Sequence, residues 1–179
     1  NTLNCDISDT NLIDGIAGSR GEDLYMTKRL GIYTVSGVVV DNGQTALSGN
    51  STIADGKVSI DGMEFFNDTG RSDLLGYYVD AYYRTDDSTR ENRLFYAYIS
   101  GRNDVVTIDA DNITGLENRT YTYFEDEFAT REKRARYSAS CDLIYNQMAL
   151  VGAVDFDPSL LIPEIGSVTL VDNDGDGEY

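Results

Sequence analysis

The sequence predicts an all-β protein, built as one or two small barrels of the oligonucleotide-binding or SH3-like kind, with one short helix. Apolar and polar residues alternate with a period of two in several short runs, and turn signals rich in Asp, Asn and Gly separate these runs. Both Pro residues lie outside the runs, as expected for strands. A hydrophobic fraction of 41%, with 13 Tyr and 6 Phe, is sufficient for a packed core.

The N-terminal part of the chain is predicted to contain a loop segment followed by the single helix. Residues 1–21 are rich in Asn, Asp, Ser and Thr, a composition typical of loops. Residues 22–31 begin with Glu22 and Asp23, end with basic side chains and stop at Gly31. Because this charge order complements the helix dipole and Gly terminates helices readily, we expect one short helix there.

The first barrel is predicted within residues 22–115. Its strands are expected at residues 34–40, 57–60, 63–66, 75–83, 93–99 and 104–109. Asp61 and Gly62 are the only two residues between the second and third of these strands. An Asp-Gly pair in that position predicts a tight hairpin with a primed turn.

Residues 116–179 are predicted to form a second β unit, truncated at its C-terminal hairpin, with the boundary near Leu116. Its strands are expected at residues 121–124, 135–138, 142–145 and 167–171. An acidic run at residues 125–127 and a basic run from Arg131 to Arg136 would face each other across a hairpin and neutralise one another. The alternative is that the basic run grips an anionic polymer.

Charge and composition exclude several classes of function. Thirty-one acidic and 14 basic residues give a formal net charge of −17, which repels phosphate backbones and argues against a nucleic-acid partner. The sequence has no His, so zinc hydrolases, Ser-His-Asp hydrolases and Cys-His proteases are excluded within this chain. No apolar run approaches the roughly 20 residues of a membrane span. We therefore expect no membrane span and no catalytic activity.

The two cysteines, Cys5 and Cys141, lie far apart in the sequence. Their pairing cannot be derived from the spacing, so a disulfide and two separate thiols are both compatible with it. Two inert thiols are the favoured alternative.

The sharpest local motif is the acidic turn, which we define as residues 172–178. Its carboxylates at Asp172, Asp174 and Asp176 alternate and are followed by Gly177, which matches the first half of a helix–loop–helix calcium loop. That loop needs an entering helix and a further bidentate acid, whereas a strand is predicted before Asp172. A plain Asp/Gly turn is therefore favoured, and calcium is kept as the one candidate cofactor, with the three Asp side chains as its ligands.

The Tyr-rich strands supply a second candidate site. Alternation places Tyr77 and Tyr83 on one face of their strand and Tyr78 and Tyr82 on the opposite face. An aromatic platform for sugar rings or for a protein partner would use Tyr77, Tyr78, Tyr82, Tyr83, Tyr96 and Tyr98. Cross-strand aromatic pairs also stabilise sheets by ~0.2–1 kcal/mol each, and packing is the favoured role of these residues.

Pairs of acidic residues are a third candidate site. Glu125 with Glu127, or Asp109 with Asp111, would supply the two carboxylates of a glycosidase. Alternation would place each pair on one strand face. An acid-rich β protein contains many such pairs, so we expect no catalytic residues among them.

Several segments, taken in order, resemble the β-rich repeat regions of secreted surface proteins of Firmicutes, the S-layer homology domain-containing proteins. The segment most similar to that family is residues 166–179, where a predicted strand runs into the acidic turn. The supporting segments are residues 56–62, 75–80, 104–111 and 142–146. The anchoring repeats of the family are absent from this sequence, and its two Cys residues are unusual for such proteins.

The resemblance implies a non-catalytic structural or assembly module of a secreted protein at the bacterial cell wall or cell surface. Its partners would be other domains of the same chain or neighbouring copies in an assembly. One alternative is a module that binds glycan or a cell-wall polymer. Another is a structural domain of a phage virion or tail protein, which would place the chain in a phage particle.

Overall fold

The computed structural model describes residues 26–27, 30–150 and 161–179, together with the backbone of residues 5–7 and 13–16. The described residues form sixteen β-strands and one short 3-10 helix, so the all-β prediction is confirmed. The strands up to residue 99 are β1 (Cys5–Ile7), β2 (Ile13–Ile16), β3 (Tyr33–Asp41), β4 (Thr45–Ala46), β5 (Gly49–Asn50), β6 (Lys57–Ile60), β7 (Met63–Asn67), β8 (Tyr78–Thr85) and β9 (Asn92–Ile99). The later elements are β10 (Asp104–Asp109), the 3-10 helix (Ala110–Asn112), β11 (Ile113–Glu117), β12 (Thr120–Tyr123), β13 (Lys133–Arg136), β14 (Ile144–Tyr145), β15 (Met148–Ala149) and β16 (Ser167–Asp172).

Five strands of the first half close into a ring of pairings. β3 pairs with β6 and β8, β6 with β7, β7 with β9, and β9 with β8; all of these pairs are antiparallel except β7–β9. β3 serves two neighbours because its first part pairs with β8 and its last part, beyond a register shift near Val39, pairs with β6. The ring carries β4 and β5 as a short extension from β3, so the structure shows several sheets and no definite barrel.

The hairpin between β6 and β7 forms as predicted. Asp61 and Gly62 have φ angles of 49° and 75°, and positive values at both central residues define the primed turn. The turn sets the register so that Ile60 pairs with Met63 and Val58 pairs with Phe65. Of these four side chains, only that of Met63 is exposed; the other three are buried in the ring.

The inside of the ring is an apolar core, which we call core one. It contains Val79 and Ala81, which alternation places on one face of their strand. The other buried members are Val39, Val58, Ile60, Phe65, Leu74, Leu94 and Ala97. Tyr77 and Tyr83 pack against this core from its margin, on the face of Val79 as the sequence predicts. The strand itself begins at Tyr78, three residues later than predicted, because Gly76 turns the chain with a φ of 84°.

The second half forms three small sheets instead of a second barrel. β10 pairs with β16, β11 to β13 form a three-stranded sheet, and β14 pairs with β15. Ile108, Tyr121, Tyr123, Ala135 and Leu170 are buried together between them and form core two. The predicted boundary at Leu116 lies inside β11, and core two contains residues from both sides of it. β10 belongs to this second unit because it pairs with β16, which lies near the C-terminal end of the unit. No local sequence pattern reveals a pairing between strands so far apart in the chain.

Two N-terminal predictions meet different outcomes. The predicted loop over residues 1–21 contains the short antiparallel pair β1–β2. Its runs of three and four residues are too short for a period of two to be recognised among Asn, Asp and Ser. Of the helix predicted over residues 22–31, Met26, Thr27 and Leu30 are helical, and Gly31 follows with a φ of 61°, outside the helix. Residues 22–25, 28 and 29 lie outside the described residues.

Hydrogen bonds join the two cores. The Asn173 side-chain amide donates to the carbonyl oxygen of Gly76 at 2.7 Å, and that of Asn42 donates to the Gln147 carbonyl oxygen at 3.3 Å. Asn103, in the connection between β9 and β10, accepts from the amide of Tyr78 at 2.9 Å and donates to its carbonyl oxygen at 2.7 Å. The connection is therefore fixed to β8, and the acidic turn is fixed to the segment just before β8.

Substituting Gly76 tests this junction. In Gly76→Ala, a φ of 84° disfavours any side chain, and the new methyl carbon would lie 2.9 Å from Ile144 Cδ1 across the junction. Gly62→Ala is the matched control, since it has a φ of 75° and no neighbour within 4 Å. We expect backbone strain of about 1–2 kcal/mol in both variants and a further loss of about 0.5–1 kcal/mol in Gly76→Ala alone, measured by urea unfolding. Equal losses, or a difference that persists when Ile144 is also changed to Ala, would contradict the contact.

Candidate functional site

The structure brings the three predicted aspartates together. Asp172 is the last residue of β16, and Asp174 and Asp176 follow in the acidic turn. One carboxylate oxygen from each residue lies within 4.8 Å of the others. The element that enters the turn is a strand, as the sequence predicts, whereas the calcium loop of the helix–loop–helix type is entered by a helix.

Asp172 is the centre of the acidic turn. Its side chain is buried, with the residue only 5% exposed. One carboxylate oxygen accepts the amides of Asp174 at 3.2 Å and Gly175 at 2.6 Å, and the other accepts the amide of Gly177 at 3.0 Å. Asp172 therefore holds the chain through the bend, which is the behaviour expected of a structural Asp/Gly turn.

The protonation of Asp172 reflects these contacts. Burial pushes its pKa upward, but the hydrogen bonds from the amides of Gly175, Gly177 and Asp174 outweigh burial, so the pKa lies below its usual value. Asp104 is the register partner of Asp172 on β10. The hydrogen bonds from the three amides therefore stabilise the ionised form of the Asp172 carboxylate.

The outer aspartates of the turn are exposed and make fewer contacts. Asp174 accepts the amide of Asp176 at 3.1 Å, and Asp176 accepts the amide of Glu178 at 2.8 Å. Together with Asp172, they offer three carboxylates, whereas calcium takes six to eight oxygen ligands. The donor chemistry suits calcium, but the three amides on Asp172 favour a structural turn.

The residue after the turn makes contacts that the sequence did not predict. The chain does not return along β16; the amide of Tyr179 donates to the carbonyl oxygen of Arg136 at 3.0 Å, beside β13. The Tyr179 hydroxyl donates to the Asp104 carboxylate at 3.0 Å. Burial first, and then this hydrogen bond, raise the pKa of Tyr179 to about 12. The turn thus connects β16, β10 and β13.

A second buried aspartate, Asp41, works in the same way at the end of β3. Its carboxylate accepts the amide of Gly43 at 2.9 Å, the hydroxyl of Ser51 at 2.7 Å and the amide of Thr52 at 3.1 Å. The sequence signal was available, since Asp41, Asn42 and Gly43 follow a β-branched run, but it predicts only a turn. The burial of the carboxylate became visible only in the structure.

The six candidate tyrosines divide between two environments. Tyr77 and Tyr83 pack against core one, and the ring of Tyr83 lies 5.0 Å from that of Phe65. Tyr78, Tyr82, Tyr96 and Tyr98 lie on the outer face of β8 and β9, away from the buried Val79, Ala81 and Ala97. Together with Phe95, these four residues form what we call the outer tyrosine strip. Packing is confirmed as the role of the first pair only.

The basic run makes ion pairs with nearby acids. Lys133 lies 2.7 Å from Glu125, as the predicted hairpin requires, and Arg136 lies 3.2 Å from Glu178 of the acidic turn.

The two acid pairs considered as glycosidase carboxylates do not lie along strands. Glu125 and Glu127 follow the end of β12, and Asp111 lies in the 3-10 helix after Asp109. Neither acid pair therefore occupies one face of a strand.

A cleft of about 640 Å³ lies between the two cores. Tyr121 lines it and donates its hydroxyl to the Leu161 carbonyl oxygen at 2.6 Å, and burial raises the pKa of Tyr121 to about 12. Burial also raises the pKa of the Asp142 carboxyl and of the free Cys141 thiol at the wall of the cleft. A thiol with a raised pKa is protonated at neutral pH and is a weak nucleophile, so the prediction of inert thiols stays a prediction that the surroundings of Cys141 favour. The side chain of Cys5 lies outside the described residues.

Comparisons with protein families, with curated proteins and with solved structures found no match. Among the helical residues that the structure describes, none belongs to a helix long and apolar enough to cross a membrane. The fold defines an all-β protein with two packed cores, and the acidic turn and the outer tyrosine strip are its two candidate sites.

Proposed function

We propose that this chain is a non-catalytic structural or assembly module of a secreted bacterial cell-surface protein of the S-layer-like kind. The acidic turn carries the proposal. The buried carboxylate of Asp172 accepts hydrogen bonds from three backbone amides. The side chain of the next residue, Asn173, donates a hydrogen bond to the carbonyl oxygen of Gly76 beside core one. A module that transmits force or spaces its neighbours needs such a rigid junction. The ordered resemblance to surface-protein repeats supports the location at the cell surface.

Assays for turnover of cell-wall glycans and peptides test the non-catalytic part of the proposal. Substitution of Asp142 is the most sensitive test, because a raised pKa and a place in the cleft are the properties of a general acid. We expect no turnover by the wild-type protein above the level of the Asp142→Asn variant. Turnover that disappears in Asp142→Asn would contradict the proposal.

Calcium binding by the acidic turn is part of the same proposal, with a small expected effect. Asp174 and Asp176 are exposed and close to Asp172, so an ion with weak affinity would bind only the folded state. At a calcium concentration about tenfold above a weak Kd, we expect calorimetry to show a rise in Tm of about 3–5 °C relative to chelator. The Asp176→Ala variant should lose this rise while keeping most of its stability. An unchanged wild-type transition would show that the turn is purely structural.

Binding of glycan is the second candidate function. The observation that favours it is the outer tyrosine strip, because Phe95 and Tyr96 are each 41% exposed and lie in one row with the rings of Tyr82 and Tyr98. A structural module and a glycan-binding module are compatible on one chain, since the acidic turn and the strip involve different residues.

A further inference from the structure

Four of the five rings of the outer tyrosine strip, those of Phe95, Tyr82, Tyr96 and Tyr98, form a continuous row. The ring centroids of Tyr82 and Tyr96 are 6.3 Å apart, those of Tyr96 and Tyr98 are 6.1 Å apart, and those of Tyr82 and Phe95 are 6.5 Å apart. The planes are tilted by 36–47° to one another, so no ring covers the face of the next. Phe95 and Tyr96 are exposed in this row, and Tyr82 and Tyr98 are partly buried, so the row presents aromatic surface along one face of the sheet.

A β-bulge adds to the aromatic surface. Tyr82 pairs with Tyr96 and Tyr83 pairs with Leu94, which leaves Phe95 as an extra residue in β9. The bulge turns Phe95 and Tyr96, two successive residues, toward solvent, whereas regular alternation would bury one of them. Bulges that redirect a side chain are typical of strands beside binding sites.

Guanidinium groups lie at the two ends of the strip. Arg84 lies 5.5 Å from the ring centroid of Phe95, and Arg102 lies 4.6 Å from that of Tyr78. Tyr78 and Arg84 are six residues apart on β8, which corresponds to a length of about 20 Å along the strand. The cation–π contacts hold both guanidinium groups in place and leave their N–H donors for a ligand.

A polar pair lies in the middle of the strip. Ser36 on β3 donates its hydroxyl to the Asp80 carboxylate at 2.6 Å, and Asp80 is the register partner of Tyr98. The surface therefore combines aromatic faces with an acceptor at the centre and donors at the ends. Two guanidinium groups and one carboxylate leave it nearly neutral, on a protein whose formal net charge is −17.

We propose that the outer tyrosine strip binds a neutral, extended glycan chain. The apolar faces of successive sugar rings would stack on the tilted aromatic rings, and their hydroxyl groups would meet Asp80 and the two arginines. The net charge repels polyanions and a second copy of this chain alike, whereas a neutral polymer incurs no such cost. An extended ligand fits a flat strip of about 20 Å better than a compact one would.

Titration calorimetry with soluble cello- and chito-oligosaccharides tests the proposal. We expect the wild-type protein to bind at least one of these neutral chains, and Tyr96→Ala and Tyr98→Ala each to raise the Kd about tenfold. Tyr145→Ala is the matched control, because Tyr145 is 58% exposed on β14, outside the strip, and should leave the Kd unchanged. Tyr96→Phe keeps the ring and should stay within about twofold of wild type. Should Tyr96→Ala fail to fold in a thermal scan, Phe95→Ala and Tyr98→Ala carry the same expectation.

Several outcomes would overturn the proposal. They are the absence of binding by the wild-type protein, equal weakening by Tyr96→Phe and Tyr96→Ala, and an effect of Tyr145→Ala as large as those in the strip. Tighter binding of a polyuronate or a polyphosphate than of the neutral chains would show that the ligand of the strip is a polyanion. Concentration-dependent self-association that Tyr96→Ala abolishes, without any glycan binding, would assign the strip to contacts between copies.

Discussion

Replacing Asp172 with Ala should destabilise the protein by about 3 kcal/mol. The substitution removes one buried carboxylate and leaves the amides of Asp174, Gly175 and Gly177 without their acceptor. Each hydrogen bond to a charged group contributes about 1.5–3 kcal/mol, and the desolvation cost of the carboxylate, which disappears with it, offsets part of the sum. Urea unfolding measures the loss as a lower midpoint with an unchanged slope.

The control for this prediction is Asp176→Ala. Asp176 is exposed and, among the residues that the structure describes, its side chain accepts one hydrogen bond, from the amide of Glu178, so its loss should cost below about 1 kcal/mol. Equal destabilisation by the two variants would show that burial of Asp172 contributes nothing.

The stability that Asp172 contributes should also depend on pH in a defined direction. Because the folded pKa of Asp172 is lowered, its contribution is complete above the unfolded pKa of about 4 and is lost as the pH falls through the folded pKa. The difference between wild type and Asp172→Asn should therefore shrink below about pH 4.

The second large effect is expected in the ring, for Leu94→Ala. The Leu94 side chain is fully buried in core one, on the strand that pairs with both β7 and β8. Removing a buried Leu side chain leaves a cavity and costs about 2–5 kcal/mol. The measurement is again urea unfolding, compared with wild type under the same conditions.

The adjacent residue provides a matched control. Phe95 is larger than Leu94 but points outward from the bulge, so Phe95→Ala should cost about 1 kcal/mol or less. A larger loss for Phe95→Ala than for Leu94→Ala would mean that the inside and the outside of the ring have been assigned the wrong way round. Comparing Leu94→Ala with Phe95→Ala also distinguishes effects on stability from effects on binding, because only Phe95→Ala should weaken glycan binding.

Local patterns account for the parts of the fold that were predicted correctly. Alternation placed Val79 and Ala81 on one face of their strand and Tyr78 and Tyr82 on the other, because the side-chain period of a strand is two in any context. In the structure, the first face is buried. The Asp61–Gly62 pair predicted its own turn, since both residues tolerate positive φ values. These features depend only on neighbouring residues.

Features that depend on distant residues were not predicted. β10 was correctly predicted as a strand but assigned to the first barrel, and its pairing with β16 connects Asp104 to Asp172 across most of the second unit. β11 was missed because its turn to β12 uses Asn118 and Arg119, which have φ values of 50° and 63° but lack the Gly that signals such a turn. Core two therefore emerged only from the structure.

The candidate sites show the same division. The acidic turn was predicted from the spacing of Asp172, Asp174 and Asp176, but the contact of Tyr179 with Asp104 depends on the β10–β16 pairing and was missed. Alternation placed Tyr78 and Tyr82 together on one strand face, whereas Phe95 joined them through a bulge that no residue pattern signals.

Differential scanning calorimetry of the whole chain tests the central claim, that hydrogen bonds at the acidic turn join the two cores into one structural body. A single transition in which the calorimetric and van't Hoff enthalpies agree is the expected result, with Asp172→Ala splitting it or lowering its midpoint. Two separate wild-type transitions, of which only the one from core two responds to Asp172→Ala, would contradict the claim.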